Sequence, residues 1–451
     1  MSTRPGFIVD LNKCTGCQAC AMACQIENDL PPGRLWRTVS TFNELHVPGV
    51  ELLHLSLACN HCAQAPCLEQ CPARAYHRDE RTGAVLIDQN ACLGCGYCGW
   101  VCPFDAPQMA PERGVMTKCT FCVERQHEGL APACVDSCPT TALGWGELTE
   151  ADMVHEAPGF AQADIGPSIR IEPLQQERLL PVMTHPPAMP PWRLLLDRIP
   201  RRITLAHEWT LAVFTILVAV LVAAFTARQL GEVTLDGRVF LAVGLAGLLL
   251  SGSHLGRKER IWRAILQPDR SWLSREVLTV PTFLVAAAVV MLVPAVPAWW
   301  GWLVVIVGFG SLAVIDRVYL PARIRGSGPV HSAQVTGTGL LLAGALSGLS
   351  LVAVPVAAVK MVLYLSRRSE RTALGLGSGS RLRLARSGLL SAGAMIMIFG
   401  NPWGRPVAIG CFLIAEMIDR AEYYDELEIE TPASRQWDAL AGRQEAVAEY
   451  P

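Results

Sequence analysis

The chain has 451 residues and a formal net charge of −2, so no basic excess points to nucleic acid. Only 17% of the residues are charged and the mean hydropathy is +0.30, which excludes a purely soluble globule. Sixteen of the seventeen cysteines precede residue 139 and the long apolar runs follow residue 205, which predicts a cysteine-dense head and a membrane tail.

The N-terminal "MSTRPGFIVD" contains neither an apolar stretch of the secretory type nor a twin-arginine pair. A disulfide framework is therefore not expected, because disulfides persist in exported compartments. The cysteines instead form four groups: Cys14, Cys17, Cys20, Cys24; Cys59, Cys62, Cys67, Cys71; Cys92, Cys95, Cys98, Cys102; and Cys119, Cys122, Cys134, Cys138. Each group opens as CxxC and closes as CxxxC. The last three end in Cys-Pro, whereas Gln25 follows Cys24. The third, "CLGCGYCGWVCP", fits the bacterial ferredoxin run C-x2-C-x2-C-x3-C-P.

The spacing has a local reason. Three thiolates two residues apart lie on one loop around a cluster face, and the fourth opens a helix that carries its thiolate to the neighbouring cluster. Zinc takes four tetrahedral ligands, commonly two CxxC pairs with a long spacer, and suits this repeat poorly. Sixteen cysteines in four groups allow four [4Fe–4S] clusters. Spacing alone leaves two pairings open, between groups adjacent in sequence or nested.

Among the intervening residues, His61 is expected to make an outer hydrogen bond or to lie at the surface rather than to ligate. Lys118 either raises the potential of a nearby cluster through its charge or is an ordinary solvated lysine. Trp36, Trp100 and Trp145 read as packing residues.

The stretches "ACNHCAQAPCLEQCP", "CLGCGYCGWVCPFDAPQ" and "MTKCTFCVERQHEGLAPACVDSCPTTAL" resemble the electron-transfer subunit of dimethyl sulfoxide reductase and its nitrate, polysulfide, tetrathionate and sulfite relatives, over about residues 5–175. The resemblance implies nested pairing. Cys14, Cys17, Cys20 and Cys138 would hold one cluster, and Cys24, Cys119, Cys122 and Cys134 its neighbour. Cys59, Cys62, Cys67 and Cys102 would hold a third, and Cys71, Cys92, Cys95 and Cys98 a fourth. It also implies a separate molybdopterin-containing catalytic subunit as partner, because no molybdenum site is visible in this chain.

From about residue 151 the chain turns proline-rich, as in "HPPAMPPWRLLLDRIPRR", and reads as an extended tether. Apolar stretches then suggest spans at about 207–226, 238–255, 277–296, 300–318, 333–349, 351–366, 386–401 and 405–423. The fifth and sixth are short, so seven is the alternative count. Loops on one side carry nineteen basic residues, among them Arg193, Arg202, Arg257, Lys258, Arg317, Arg325, Arg367 and Arg383; the other side has only Arg228, Arg238 and Arg405. This bias predicts a multi-pass protein of the bacterial cytoplasmic (inner) membrane with both termini, and so the head, on the cytoplasmic side.

The tail resembles the same family's membrane anchor through "HEWTLAVFT" and "HLGRKERIWRAILQPDRSWLSREVL". That resemblance implies bound quinone or quinol (menaquinone or ubiquinone), with His254 and Glu276 as the binding pair and Arg257, Trp272 and Arg275 as lesser candidates. A quinone carbonyl needs a donor, and quinol oxidation needs a proton acceptor. Glu416 and Arg420, one turn apart, are expected to pair, and Cys411 reads as a small apolar residue. His207, His254 and His331 all fall at predicted helix ends, so no haem is expected.

The expected fold class is α+β: a double bacterial-ferredoxin-like head with four [4Fe–4S] clusters, followed by an all-α polytopic membrane bundle of about eight helices. The expected domains are the head at 1–175, the linker at 176–205, the anchor at 206–427 and a cytoplasmic tail at 428–451. The expected role is electron transfer between the quinone pool and the molybdopterin subunit. The rivals are a zinc-stabilised membrane scaffold and a partner of a hydrogenase or formate dehydrogenase.

Overall fold

The computed structural model describes residues 3–175 (apart from 48 and 154), 203–324, 328, 330–373, 380–400 and 402–448. The predicted tether, including Arg193 and Arg202, lies outside the described residues up to residue 202, as does Arg325. The chain divides into two compact units, Met1–Pro200 with Glu430–Pro451, and Arg201–Ile429.

The first unit is built on a three-stranded sheet with Arg4–Asp10 in the centre. Leu143–Leu148 pairs antiparallel with it and Ile169–Glu172 parallel, with Phe7 opposite both Trp145 and Ile169. The alternation of Phe7 and Val9 inward, each 1% exposed, fits a strand with one buried face. Three antiparallel hairpins follow, Thr38–Phe42 with Leu53–Leu57, Tyr76–Arg78 with Val85–Ile87, and Gln108–Ala110 with Val115–Thr117. Helices before residue 176 in this unit are short. The helix Ala19–Glu27 runs through Cys24, and single turns stand at Pro66–Glu69, Tyr97–Trp100, Val123–His127 and Ala133–Asp136. Most of the segment expected as a cytoplasmic tail at 428–451 groups with the first unit, as Glu430–Pro451. There, in the helix Pro432–Ala448, Arg435 donates to the Pro103 carbonyl at 2.8 Å and Arg443 to Glu51 at 2.6 Å.

The second unit is helical. Its helices are Leu205–Gln229, Gly237–Gly252, Trp272–Leu292, Ala298–Val318, Val335–Leu346, Ser350–Ala373, Ser380–Phe399 and Arg405–Glu426. Five stretches are long and apolar enough to cross a membrane: Leu205–Gln229, Trp272–Leu292, Ala298–Val318, Ser350–Ser369 and Arg381–Phe399. Gly237–Gly252 and Val335–Leu346 are shorter, and Arg405–Glu426 carries too many charges in its second half. The fifth and sixth predicted segments are separate helices because Gly348, at φ +69°, closes the first with a Schellman turn. Leu349 donates to the Gly344 carbonyl and Gly348 to that of Ala345.

Close helix packing relies on small residues, as membrane bundles do. A Cβ on Gly308 would lie 2.9 Å from the Phe283 ring, and one on Gly339 would collide with Leu312. Phe225, Phe240 and Phe283 form a ring cluster with centroids 6.1–6.2 Å apart. Exposed tryptophans gather at helix ends, with Trp299, Trp300 and Trp302 opening one helix and Trp403 preceding another.

Candidate iron–sulfur and quinone sites

All four cysteine groups share one backbone device. The second residue after the opening cysteine is left-handed in each, at Gly16 (φ +71°), His61 (+42°), Gly94 (+68°) and Phe121 (+62°). This kink folds the loop back so that its N–H groups face the sulfurs. Gly94 donates to Cys92 Sγ and Phe121 to Cys119 Sγ, both at 3.3 Å, and the Gly16 N–H faces Cys14 in the same way. A second left-handed residue stands three positions after each Cys-Pro cysteine, at Arg74, Asp105 and Thr141. The first group lacks it because, with Gln25 in place of proline, the helix continues through Cys24 to Glu27.

The sixteen thiols gather in four quartets that mix the groups. One cavity is lined by Cys14, Cys17, Cys20 and Cys138. Cys24 and Cys119 face each other, and Cys122 and Cys134 complete the second quartet. Cys62 and Cys67 both face Cys59 and Cys102, forming the third. Cys71, Cys92, Cys95 and Cys98 form the fourth. Of the two pairings that spacing left open, the nested one has its thiols together. The quartets also follow one another in a row: Cys119 of the second faces Cys59 of the third, and Cys67 of the third faces Cys98 of the fourth.

The donor set fits iron–sulfur clusters. All the cysteines are free thiols, and among the described residues no three Cys, His, Asp or Glu side chains converge tightly enough for a single metal ion. The repeated triplet with a fourth thiol from another group, and the cavity enclosed by Cys14, Cys17, Cys20 and Cys138, suit a multi-atom cluster. Burial, followed by neighbouring thiolates, pushes Cys24 up to about 12. Burial does the same for Cys95, to about 12, and for Cys102, to about 11. Such thiols ionise when a metal centre supplies positive charge. Cys138 is the exception. Burial opposes its ionisation, but N–H groups of Leu143, Thr140 and Ala142 and the Thr140 hydroxyl hold it below the ordinary range.

His61 is buried, not at the surface. Its Nδ1 accepts from the Val85 N–H at 3.0 Å and its ring stacks on Phe121 at 4.9 Å. Burial, then the nearby charges of Lys118 and Arg78, hold it neutral, well below its usual pKa. Lys118 is 2% exposed, so the solvated reading is excluded. Its Nζ donates to the Val85 and Cys119 carbonyls and faces Cys59, Cys67 and Cys119. Trp36 is a packing residue whose indole donates to Thr117 Oγ1 at 3.3 Å; Trp100 and Trp145 are half-buried. Sequence reasoning missed Arg37, 1% exposed among Cys134, Cys119, Cys20 and Cys24, and Tyr76, buried against Cys98, Cys67 and Cys71. The only advance signal was a charged residue in the apolar context "LWRTV".

In the helical unit, His254 is half-buried and its Nδ1 donates to the Ser251 carbonyl, which leaves Nε2 as the acceptor nitrogen. Glu276 is 7% exposed and its charged neighbour is Arg420. No hydrogen bond joins His254 to Glu276 among the described residues. The guanidinium of Arg275 donates to the Pro268 and Asp269 carbonyls and covers the Trp272 ring at 4.2 Å, while Arg257 lies by Glu259. The expected Glu416–Arg420 pair does not form. Glu416 pairs with Lys360 at 2.8 Å, and Arg420 donates to Thr215 Oγ1 and the Ala333 carbonyl beneath three tyrosine rings. Cys411 is a half-buried free thiol.

Comparison with known proteins matches the family model of the 4Fe-4S dicluster domain to residues 50–148. The probable anaerobic dimethyl sulfoxide reductase chain YnfG of Escherichia coli K12 is 39% identical over 163 residues, covering 34% of this chain and 79% of the relative. The thiosulfate reductase electron transfer subunit PhsB of Salmonella typhi is 40% identical over 147 residues, 32% of this chain and 76% of the relative. A sulfite dehydrogenase subunit of Allochromatium vinosum is 32% identical over 171 residues, 33% and 71% respectively. Each match covers about a third of the chain, and the helical C-terminal region is consistent with a fused anchor. A ferredoxin-like iron–sulfur domain, the four cysteine groups and these relatives together make the chain a member of the dimethyl sulfoxide reductase-type iron–sulfur electron-transfer subunit family.

Proposed function

We propose that the chain is the electron-transfer and membrane-anchor subunit of a complex whose catalytic subunit carries molybdopterin. In this reading it relays electrons between that subunit and the quinone pool of the bacterial inner membrane. Its cofactors are four [4Fe–4S] clusters, one per thiol quartet, which supply one-electron carriers when bound. The observation that carries the reading is the row of four quartets, each drawing its fourth thiol from another cysteine group. The chain's own part is to ligate through the sixteen cysteines, to aim backbone N–H groups at the sulfurs and to exclude water from buried thiols such as Cys67 and Cys98.

The anchor in this reading is a bundle of eight spans, with the shorter helices packed among the longer ones and the head on the cytoplasmic side. The arginine asymmetry and the tryptophans at helix ends support it. His254 and Glu276 serve the quinone: the free Nε2 of His254 accepts a quinol proton, and buried Glu276 beside Arg420 handles the second.

Anaerobic purification followed by dithionite reduction tests the core of this. The expected result is brown protein with about sixteen iron atoms per chain and iron-based paramagnetic signals. Colourless protein carrying zinc refutes it. A Glu276→Gln variant with full iron content but lost quinol-dependent cluster reduction is the expected outcome for the tail.

A further inference from the structure

The three junctions between successive quartets are filled differently. Between the third and fourth stands Tyr76, a neutral group facing Cys67, Cys71 and Cys98. Between the second and third stands Lys118, already described. Between the first and second stands Arg37, which is 1% exposed and faces Cys20 of the first quartet and Cys24, Cys119 and Cys134 of the second.

Arg37 is held rigidly. Its guanidinium covers the Phe7 ring at 4.2 Å, and Nη1 donates to Ser56 Oγ at 3.0 Å, itself 3.4 Å from Cys20 Sγ. Its backbone N–H faces Cys24. Among the described residues Nε and Nη2 are buried with no hydrogen-bond partner, and the strongest charge partners around it are the four cysteines. An uncompensated buried guanidinium is strongly destabilising, so a purely structural arginine would be paired with an acid. A fixed cation with two spare donors thus lies next to cysteines of two cluster sites, through Ser56 to Cys20 and through its own backbone to Cys24.

We propose that Arg37 is a redox-positioning residue, a positive charge shared by the first and second cluster sites that raises the reduction potentials of both. The physical basis is Coulombic. Each one-electron reduction adds a negative charge to an already anionic cysteine-ligated cluster, and a nearby cation in a low-dielectric setting favours the reduced form. Because one cation serves two sites, their potentials move together, and transfer between them stays nearly balanced. The inference rests on the cluster assignment under Proposed function.

The test is a potentiometric titration of the anaerobic full-length protein, followed by paramagnetic resonance. Arg37→Gln is expected to retain iron and to lower two of the four midpoint potentials by at least tenfold in the one-electron equilibrium, about 59 mV. The other two are expected to move less than threefold. Four unchanged potentials at full iron content overturn the proposal. If the glutamine variant does not assemble, Arg37→Lys decides. It keeps the charge but loses the planar contacts, so its potentials are expected within threefold of wild type, and a tenfold fall overturns the electrostatic account. Wild-type protein lacking four titrating clusters sinks the underlying cluster reading instead, before any variant is compared.

Discussion

Buried cations occur in both units, but in different company. In the helical unit Lys360, Arg367, Arg368 and Arg386 face Glu416, Asp419, Glu422 and Glu426, four against four. Arg386 lies 2.6 Å and Arg367 2.8 Å from Asp419, Lys360 lies 2.8 Å from Glu416, and Arg368 lies between Glu422 and Glu426. Tyr364, Ser332 and Thr338 donate to the same carboxylates. In the head, Arg37 and Lys118 face sulfur. Within this cluster the polypeptide alone balances charge, whereas around Arg37 and Lys118 balance comes only when the thiols are ionised, as on binding a metal centre.

Iron starvation should break this contrast most visibly. Protein produced without iron is expected to lose protease resistance throughout the head, while the helical unit keeps its circular-dichroism signal; equal resistance in both units would contradict the comparison. Next in size, Asp419→Ala leaves Arg367 and Arg386 buried without their shared carboxylate and should destabilise the helical unit by about 3–5 kcal/mol in detergent melts. Removing the charges together, as Asp419→Leu with Arg386→Met, should cost less than the single change. A milder effect is expected of Gly16→Ala. The new Cβ would sit 2.7 Å from His54 Nδ1 at a φ of +71°, a strain of about 1–3 kcal/mol, read as a lower melting temperature and partial loss of iron. Smallest is Arg443→Ala. Its side chain is 52% exposed opposite Glu51, so the loss should not exceed about 1 kcal/mol and should shrink with added salt.

Cysteine spacing made the cluster loops legible, because the ferredoxin run is a local signal. The shared left-handed kink was less so: Gly16 and Gly94 announce it, but His61 and Phe121 adopt it against their own preference, held by stacking on each other. Which groups share a site is tertiary information that spacing cannot encode. In the tail, hydropathy placed the helices but blurred their ends. The predicted span 277–296 begins at Trp272 in the structure, because Ser271 caps it through the Ser274 N–H and a polar first turn lies outside the apolar window. Similarly, Glu416 and Arg420 looked paired by their helical spacing, yet Lys360 on another helix offers Glu416 a partner that no local pattern reveals.

The helix Pro432–Ala448 has a consequence for how the chain is threaded. Since Glu430–Pro451 and Met1–Pro200 belong to one compact body, the polypeptide leaves that body and comes back to it. Its fold therefore closes only after the whole helical unit has been made, so the first unit is completed by the last residues to be synthesised.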